Sequence, residues 1–123
     1  MSKSIAIIGA SNNPEKFGNK AVKAYKKIGY TVYPVNPTAD EIEGLKVYRS
    51  ILDIKGKIDR VSFYLPPKKV MEVLDDIAEL GIKEVYLNPG TESDEVFEKA
   101  ESLGLEPVVA CSIVAVGLHP DEL

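Results

Sequence analysis

The sequence predicts an α/β domain built on a doubly wound parallel sheet of five strands. Short apolar runs alternate with amphipathic segments along the chain, and this alternation is typical of a parallel sheet covered by helices on both faces. The first apolar run stops at a glycine, which is followed by a loop of small residues and a lysine-rich helix. The three long helical segments each end at a glycine, at Gly29, Gly81 and Gly104.

The first unit of the chain has the form of a strand, an anion-binding loop and a helix. Ile5 to Ile8 has no polar face, as expected for a central strand. Gly9 permits a turn that a side chain would block, while Ala10 and Ser11 leave the next peptide units open to a ligand. The start of the following helix presents free N–H groups and a positive dipole end. The sequence therefore predicts an anion site above Gly9.

Four further strands follow, each bounded by turn residues. They are predicted over Thr31–Val35, Val61–Leu65, Glu84–Leu87 and Glu106–Cys111. Pro66-Pro67 starts the second long helix, and Thr91 or Ser93 caps the third. The segment from 40 to 48 is predicted as a loop with a short extended piece, after which Ser50 caps a brief helix.

The order of the strands determines which loops share a ligand crevice. Right-handed crossovers favour the order 3-2-1-4-5, and the order 2-1-3-4-5 of flavodoxin-like folds stays open. Both orders place the crevice at the carboxyl ends of the strands. Those ends carry Gly9-Ala10-Ser11, Asn36-Pro37, Leu65-Pro66-Pro67, Asn88-Pro89-Gly90 and Cys111. In the first order the loops at Gly9 and Asn88 face one another.

Composition limits the class of protein. A chain of 123 residues with 45% hydrophobic content predicts one domain over residues 1–123. The net charge of −4, without a long Lys/Arg run, argues against a nucleic-acid or membrane-surface partner. One cysteine cannot form an internal disulfide, and the apolar start is too short for a signal peptide. A cytoplasmic location is therefore expected.

The loop after the first strand does not fit the common nucleotide motifs. The G-x-G-x-x-G dinucleotide fingerprint places glycines where this chain has Ser11 and Pro14, and Gly18 comes late. The acidic residue that binds the adenosine ribose of NAD is replaced by Asn36, and no Walker loop is present. A phosphate-binding corner remains, with Lys16 as the cation that reaches a pyrophosphate.

Several motifs together resemble the small coenzyme A-binding domain family. They are Gly9-Ala-Ser-Asn-Asn-Pro-Glu-Lys-Phe-Gly18, Tyr33-Pro-Val-Asn-Pro37, Glu43-Gly-Leu-Lys-Val-Tyr48 and Asn88-Pro-Gly90. The resemblance covers nearly the whole chain. It implies the Rossmann-like fold of the N-terminal domain of the succinyl-CoA synthetase alpha subunit, with coenzyme A as the nucleotide ligand.

The resemblance also implies a set of binding residues. By position, the loop and its lysine hold the phosphates, and the residues after the second strand line the adenosine end. These positions are Gly9, Ala10, Ser11, Lys16, Gly18, Val35, Asn36 and Pro37, with Leu65, Pro66, Pro67 and Lys68 beside the nucleotide. Asn88, Pro89, Gly90 and Cys111 complete the predicted site at the crevice. The family often has Arg-Cys at the end of the fifth strand and a glutamate soon after, where this chain has Ala110 and Ala115.

No catalytic constellation is visible in the sequence. It has no Ser-His-Asp set, no His/Cys metal spacing, and only one histidine, outside the predicted core. A binding module for coenzyme A or acyl-CoA, with a possible protein partner that supplies chemistry, is therefore predicted. The alternatives are an NAD(H)-binding redox sensor and a non-catalytic component of an acyl-CoA ligase. Cys111 is either a buried, inert thiol or a group that meets the thiol of coenzyme A.

Overall fold

The computed structural model describes residues 3–123 and confirms the α/β class, with five parallel strands in one sheet and three α-helices. The sheet strands are β1 (Ser4–Ile8), β2 (Thr31–Val35), β5 (Arg60–Phe63), β6 (Glu84–Leu87) and β7 (Glu106–Val109). The helices are α1 (Phe17–Lys27), α2 (Pro67–Glu79) and α3 (Asp94–Ser102). A two-stranded hairpin, β3 (Glu41–Ile42) and β4 (Leu45–Lys46), follows β2. Short 3₁₀ turns cover Ile51–Asp53, Val114–Val116 and Pro120–Glu122.

The strand order is β2-β1-β5-β6-β7, so the predicted order 3-2-1-4-5 is wrong and the alternative order is formed. The third strand of the main sheet pairs with β1, not with β2. Pro34 gives the physical reason. The Thr31 N–H of β2 donates to Lys3 in front of β1, so the alternate residue Pro34 faces the other edge, where its carbonyl accepts from Tyr48. Proline has no N–H for a neighbouring strand, which makes β2 an edge strand.

The starts of two helices agree with the local signals, and the ends of two strands differ from the prediction. Ser93 caps α3, since its side chain accepts from the Val96 N–H at 3.1 Å. Pro67 occupies the first turn of α2, where a missing N–H costs nothing. Strands β5 and β7 are shorter at their carboxyl ends than predicted, because the chain leaves the sheet at Tyr64 and at Ala110.

The two faces of the sheet are covered unequally. Helices α2 and α3 pack on one face, where Phe63, Leu74 and Leu87 are fully buried. Helix α1, the β3–β4 hairpin and the C-terminal segment pack on the other face, around buried Ile7 and Tyr25. Because all five strands are parallel, the turns from strand to helix lie at the carboxyl ends of the strands on both faces, and this end of the sheet carries the site.

We predict that Asp59 makes stability depend on pH. Its carboxylate accepts from the Ser4 N–H at 2.9 Å and from the Ser4 hydroxyl at 3.2 Å, and chiefly the bond from the N–H holds the pKa of Asp59 below its usual range. A lowered pKa in the folded state stabilises the protein above the unfolded pKa of about 4, and this contribution is lost as the pH falls through the folded value.

Urea unfolding of Asp59→Asn should therefore show a loss of stability at pH 7 that shrinks below about pH 4. Asp53→Asn is the matched control, because the Asp53 side chain is exposed and bonds to nothing within residues 3–123. A constant difference between wild type and Asp59→Asn across this pH range would contradict the assignment.

Candidate functional site

A cleft of about 690 Å³ lies at the carboxyl ends of β1, β2, β5 and β6. It opens where the chain leaves β1 toward one face of the sheet and leaves β5 toward the other, which is the usual ligand position in doubly wound sheets. Its volume is within the range of small-molecule sites. The residues that line it are Gly9, Ala10, Ser11, Glu15, Lys16, Phe17, Gly18, Asn36, Pro37, Tyr64, Leu65, Pro66, Pro89, Gly90 and Thr91.

Most of the residues expected at the ligand meet in this cleft, and five do not line it: Val35, Pro67, Lys68, Asn88 and Cys111. Val35 is buried in β2, and Lys68 is exposed on α2. Four wall residues were not predicted, namely Glu15, Phe17, Tyr64 and Thr91. Glu15 and Phe17 flank Lys16 in the loop that the motif had already marked. Tyr64 was predicted within the third strand, one residue before its end, and Thr91 was considered only as a possible helix cap, so no ligand signal for either was present in the sequence.

Two glycines hold the loop against the sheet and the helix. Gly9 has φ +97°, and a Cβ there would lie 2.7 Å from the carbonyl carbon of Tyr64. A Cβ on Gly18 would collide with the carbonyl oxygen of Gly9 and lie 3.3 Å from the Cα of Ala10. The first turn of α1 therefore packs directly on the backbone at the end of β1. Both glycines are required for close packing of the backbone.

Two buried or half-buried amides hold the peptide units of this loop. Asn36 Nδ2 donates to the Ala10 carbonyl at 2.9 Å, and Asn19 Nδ2 donates to the Ser11 carbonyl at 2.9 Å. In a trans peptide the following N–H points away from the carbonyl. The N–H groups of Ser11 and Asn12 are thus turned away from these amides, and they have no acceptor within residues 3–123.

The N-terminus of α1 adds further unpaired donors. Lys16 occupies the capping position and its side chain makes no capping hydrogen bond, and the first turn carries no acidic residue. The N–H groups of Phe17 and Gly18 have no acceptor among the residues that the structure describes. Unpaired N–H groups and the positive end of the helix dipole attract an anion, and Lys16 adds a full charge beside them.

Asn36 has a structural role, although it lies at the position where a dinucleotide-binding fold binds a ribose. Its Oδ1 accepts from the N–H groups of Thr38 and Ala39, each at 2.8 Å, while its Nδ2 holds Ala10. The side chain lies in the cleft wall with both ends of its amide engaged. It supplies neither a carboxylate nor a free acceptor to a ribose.

A buried polar network forms the floor below the cleft. Asn88 Nδ2 donates to Ser62 Oγ and to the Phe63 carbonyl, both at 2.8 Å, and Asn88 Oδ1 accepts from the Ser112 N–H at 2.8 Å. Ser112 Oγ lies 2.7 Å from Ser62 Oγ and 3.1 Å from the Tyr64 hydroxyl. Asn88, expected at the ligand, instead joins β5 and β6 to the C-terminal segment, and it is only 2% exposed.

Tyr64 links this network to the cleft. Burial raises the pKa of Tyr64 to about 12, although its hydrogen bonds with Ser112 and Ser62 work in the opposite direction. The hydroxyl therefore stays protonated at neutral pH, and it is engaged with Ser112 in the buried network below the cleft. Cys111 is half-buried and packs with the core on the α1 side, outside the cleft wall. Its position gives no support to contact with a ligand thiol.

Two further features were sought in the described part of the chain, a metal-holding cluster and a membrane-spanning helix. No three His, Cys, Asp or Glu side chains in residues 3–123 are grouped as a metal ion requires. In the same range, no helix has the length and apolar character needed to cross a membrane. The cleft has the features of a binding site for an anion-bearing small molecule.

The chain was compared with known families and proteins. Residues 3–117 match the family model described as a CoA binding domain. The alpha subunit of an ADP-forming acetate–CoA ligase II from Pyrococcus furiosus is 40% identical over 86 residues, which are 69% of this chain and 19% of that subunit. An uncharacterized protein of Bacillus subtilis is 30% identical over 103 residues, which are 84% of this chain and 76% of that protein.

Solved structures give the same picture. A conserved hypothetical protein from Pyrococcus furiosus superimposes with a TM-score of 0.84 at 40% identity, over 92% of this chain and 98% of the other. The dinucleotide-forming acetyl-coenzyme A synthetase 1 of Ca. Korarchaeum cryptofilum, in complex with phosphate and ADP, gives 0.77 at 33% identity, over 88% of this chain and 25% of the other. The chain spans only 12% to 19% of the length of three acetate–CoA ligases that it matches.

Replacement of Gly18 tests the packing of the loop. Gly18→Ala adds a Cβ against the Gly9 carbonyl, and overpacking of this kind costs about 1–3 kcal/mol in the free energy of unfolding. Gly81→Ala is the comparison for the loop structure: its Cβ meets nothing within 4 Å, so its cost comes only from backbone strain at φ +76° and the loop should not change. Gly18→Ala should lower the stability measured by urea unfolding and also displace the loop. An unchanged stability together with an unchanged loop would contradict the close contact.

Replacement of Asn88 tests its structural role. Asn88→Ala leaves the buried Ser112 N–H and Phe63 carbonyl without partners, so we expect a loss of about 2–4 kcal/mol in the free energy of unfolding. Asn12→Ala, in the exposed part of the loop, should be nearly neutral. Thermal or chemical unfolding without any ligand measures both. An Asn88→Ala variant as stable as wild type would contradict the structural role of Asn88.

Proposed function

The chain belongs to the CoA binding domain family, and from this we propose that its cleft binds coenzyme A or an acyl-CoA. In this proposal the pyrophosphate lies on the loop from Gly9 to Gly18 and on the first turn of α1. The observation that carries it is the set of three N–H groups in the cleft wall, from Ser11, Phe17 and Gly18, that lack an acceptor within residues 3–123. Free N–H groups at a helix N-terminus and in the loop before it form an anion-binding site.

The rest of the cleft supports a large, partly apolar ligand. Leu65, Pro66 and Pro89 supply apolar surface to the cleft wall, and Leu65 lies beside Gly9. Lys16 stands beside the unpaired donors, so the charged part of the ligand belongs at that end. The apolar surface of the cleft wall suits an acyl-pantetheine arm, and the N–H donors with Lys16 suit the anionic pyrophosphate.

We further propose that the chain binds the nucleotide without transforming it and that a partner protein supplies any chemistry. The cleft brings Glu15 and Lys16 together with backbone donors, but it contains no paired nucleophile and base. The relatives named as acetate–CoA ligases are much longer than this chain, which corresponds to at most 19% of the three compared. The cytoplasmic location expected from the sequence stays a prediction.

Isothermal titration of the purified chain with coenzyme A, acetyl-CoA, NAD and ATP tests the ligand. We expect coenzyme A compounds to bind. We expect NAD not to bind, because Asn36 supplies no acidic acceptor for the hydroxyl groups of its adenosine ribose. Binding of NAD alone would replace this proposal with a redox role. Failure of all four ligands would overturn it.

The loop is tested by Lys16→Ala, which removes the charge beside the unpaired N–H groups. We expect about tenfold weaker binding of coenzyme A, the usual effect of one charge-assisted hydrogen bond. Lys27→Ala is the matched control, since it removes the same charge at the far end of the same helix. Equal effects of the two substitutions would show that only the net charge of the protein affects binding. That result would contradict the placement of the phosphates on the loop.

A further inference from the structure

Arg49 lies beside the end of β2, where a doubly wound fold holds the ribose of a nucleotide. Its Nη1 contacts the Ala39 carbonyl and lies 3.5 Å from the carbonyl of Asn36, a residue of the cleft wall. Its Nη2 is 2.7 Å from Asp40 Oδ1. These contacts hold the guanidinium against the loop that closes the ribose end of the cleft.

Two N–H donors of the Arg49 guanidinium are unpaired in residues 3–123. Of its five N–H bonds, the one on Nε and the second on Nη2 have no acceptor within residues 3–123. Its only charged partner there, Asp40, has a side chain that is 93% exposed, and the Arg49 side chain is 48% exposed. An ion pair this open to water contributes little, so another anion can take the place of Asp40 at small cost.

Arg49 lies behind the cleft wall and does not line it, and within residues 3–123 neither wall residue that follows β2 offers an acceptor to a ribose. Asn36 is engaged at both ends of its amide, and Pro37 has no polar side chain. In dinucleotide folds an acidic residue at this place selects free ribose hydroxyls, whereas an arginine accommodates a phosphorylated ribose. Coenzyme A carries a phosphate on its ribose, and dephospho-coenzyme A does not.

We propose that Arg49 binds the ribose phosphate of the nucleotide and selects phosphorylated over unphosphorylated forms, with Asp40 as the internal competitor for the same guanidinium. A phosphate presents oxygens that match the planar fork of arginine, and lysine cannot reproduce this geometry. The inference rests on the proposed coenzyme A function and adds a second anion contact, separate from the loop that holds the pyrophosphate.

The test is titration of wild type, Arg49→Ala and Asp40→Asn with coenzyme A and with dephospho-coenzyme A. Wild type should bind coenzyme A at least about tenfold more tightly than dephospho-coenzyme A, which is the effect of one strong charge-assisted contact. Arg49→Ala should bring the two affinities together by weakening coenzyme A alone. Asp40→Asn should strengthen coenzyme A by about two- to threefold, because a weak competing ion pair is lost.

Lys46→Ala serves as the control of equal charge on the neighbouring strand β4, and it should leave the ratio of the two affinities unchanged. Unfolding temperatures of all variants establish that each is folded. Equal affinity of wild type for the two nucleotides, or an equal loss of both in Arg49→Ala, would overturn the role of Arg49 while the proposed function stands. Failure of wild type to bind either nucleotide would overturn both.

Discussion

The contact between the Gly18 backbone and the Gly9 carbonyl is the constraint on which the site depends. It brings the N-terminus of α1 to the end of β1 at backbone distance, which only glycine allows on both sides. The unpaired N–H groups of Ser11, Phe17 and Gly18 then lie at one corner of the cleft. A larger residue at either glycine would separate the helix end from the loop, and these donors would no longer lie together.

The same loop is held from behind by amides, which explains why asparagine is frequent around the site. Asn36 fixes the Ala10 carbonyl, and Asn19 fixes the Ser11 carbonyl and also reaches Glu43 at the tip of the β3–β4 hairpin. Glu43 has φ +50°, a conformation that costs free energy for a residue with a side chain. The hairpin, α1 and the loop are thus joined through one side chain, and the loop is ordered before a ligand arrives. Such preorganisation lowers the entropy lost on binding.

Below the cleft, Asn88, Ser62 and Ser112 connect two strands with the C-terminal segment through fully buried hydrogen bonds. Buried polar networks of this kind specify a unique arrangement, because each unpaired member would be costly. Tyr64 belongs to both this network and the cleft wall. The position of the C-terminal segment and the shape of the ligand site therefore depend on the same set of side chains.

The fold class and the corner of the cleft follow from local patterns in the sequence. An apolar run, a glycine turn and an amphipathic helix are each encoded by a few adjacent residues, so Gly9, Ser11, Lys16 and Gly18 could be expected in the cleft without a structure. The strand order was not, because it depends on which strand pairs with β1, a contact between residues far apart in the chain.

One local signal for that order was present. Pro34 in the second strand, like Pro107 in the fifth, has no N–H for a neighbour, and both strands lie at the edges of the sheet. What only the tertiary structure decided is the partner of each polar side chain. Asn88 follows a strand end and has the pattern of a ligand contact, yet its amide is consumed by Phe63 and Ser112. Arg49 has no motif of its own, and it lies beside Asn36 only because the β3–β4 hairpin returns the chain to the edge of β2.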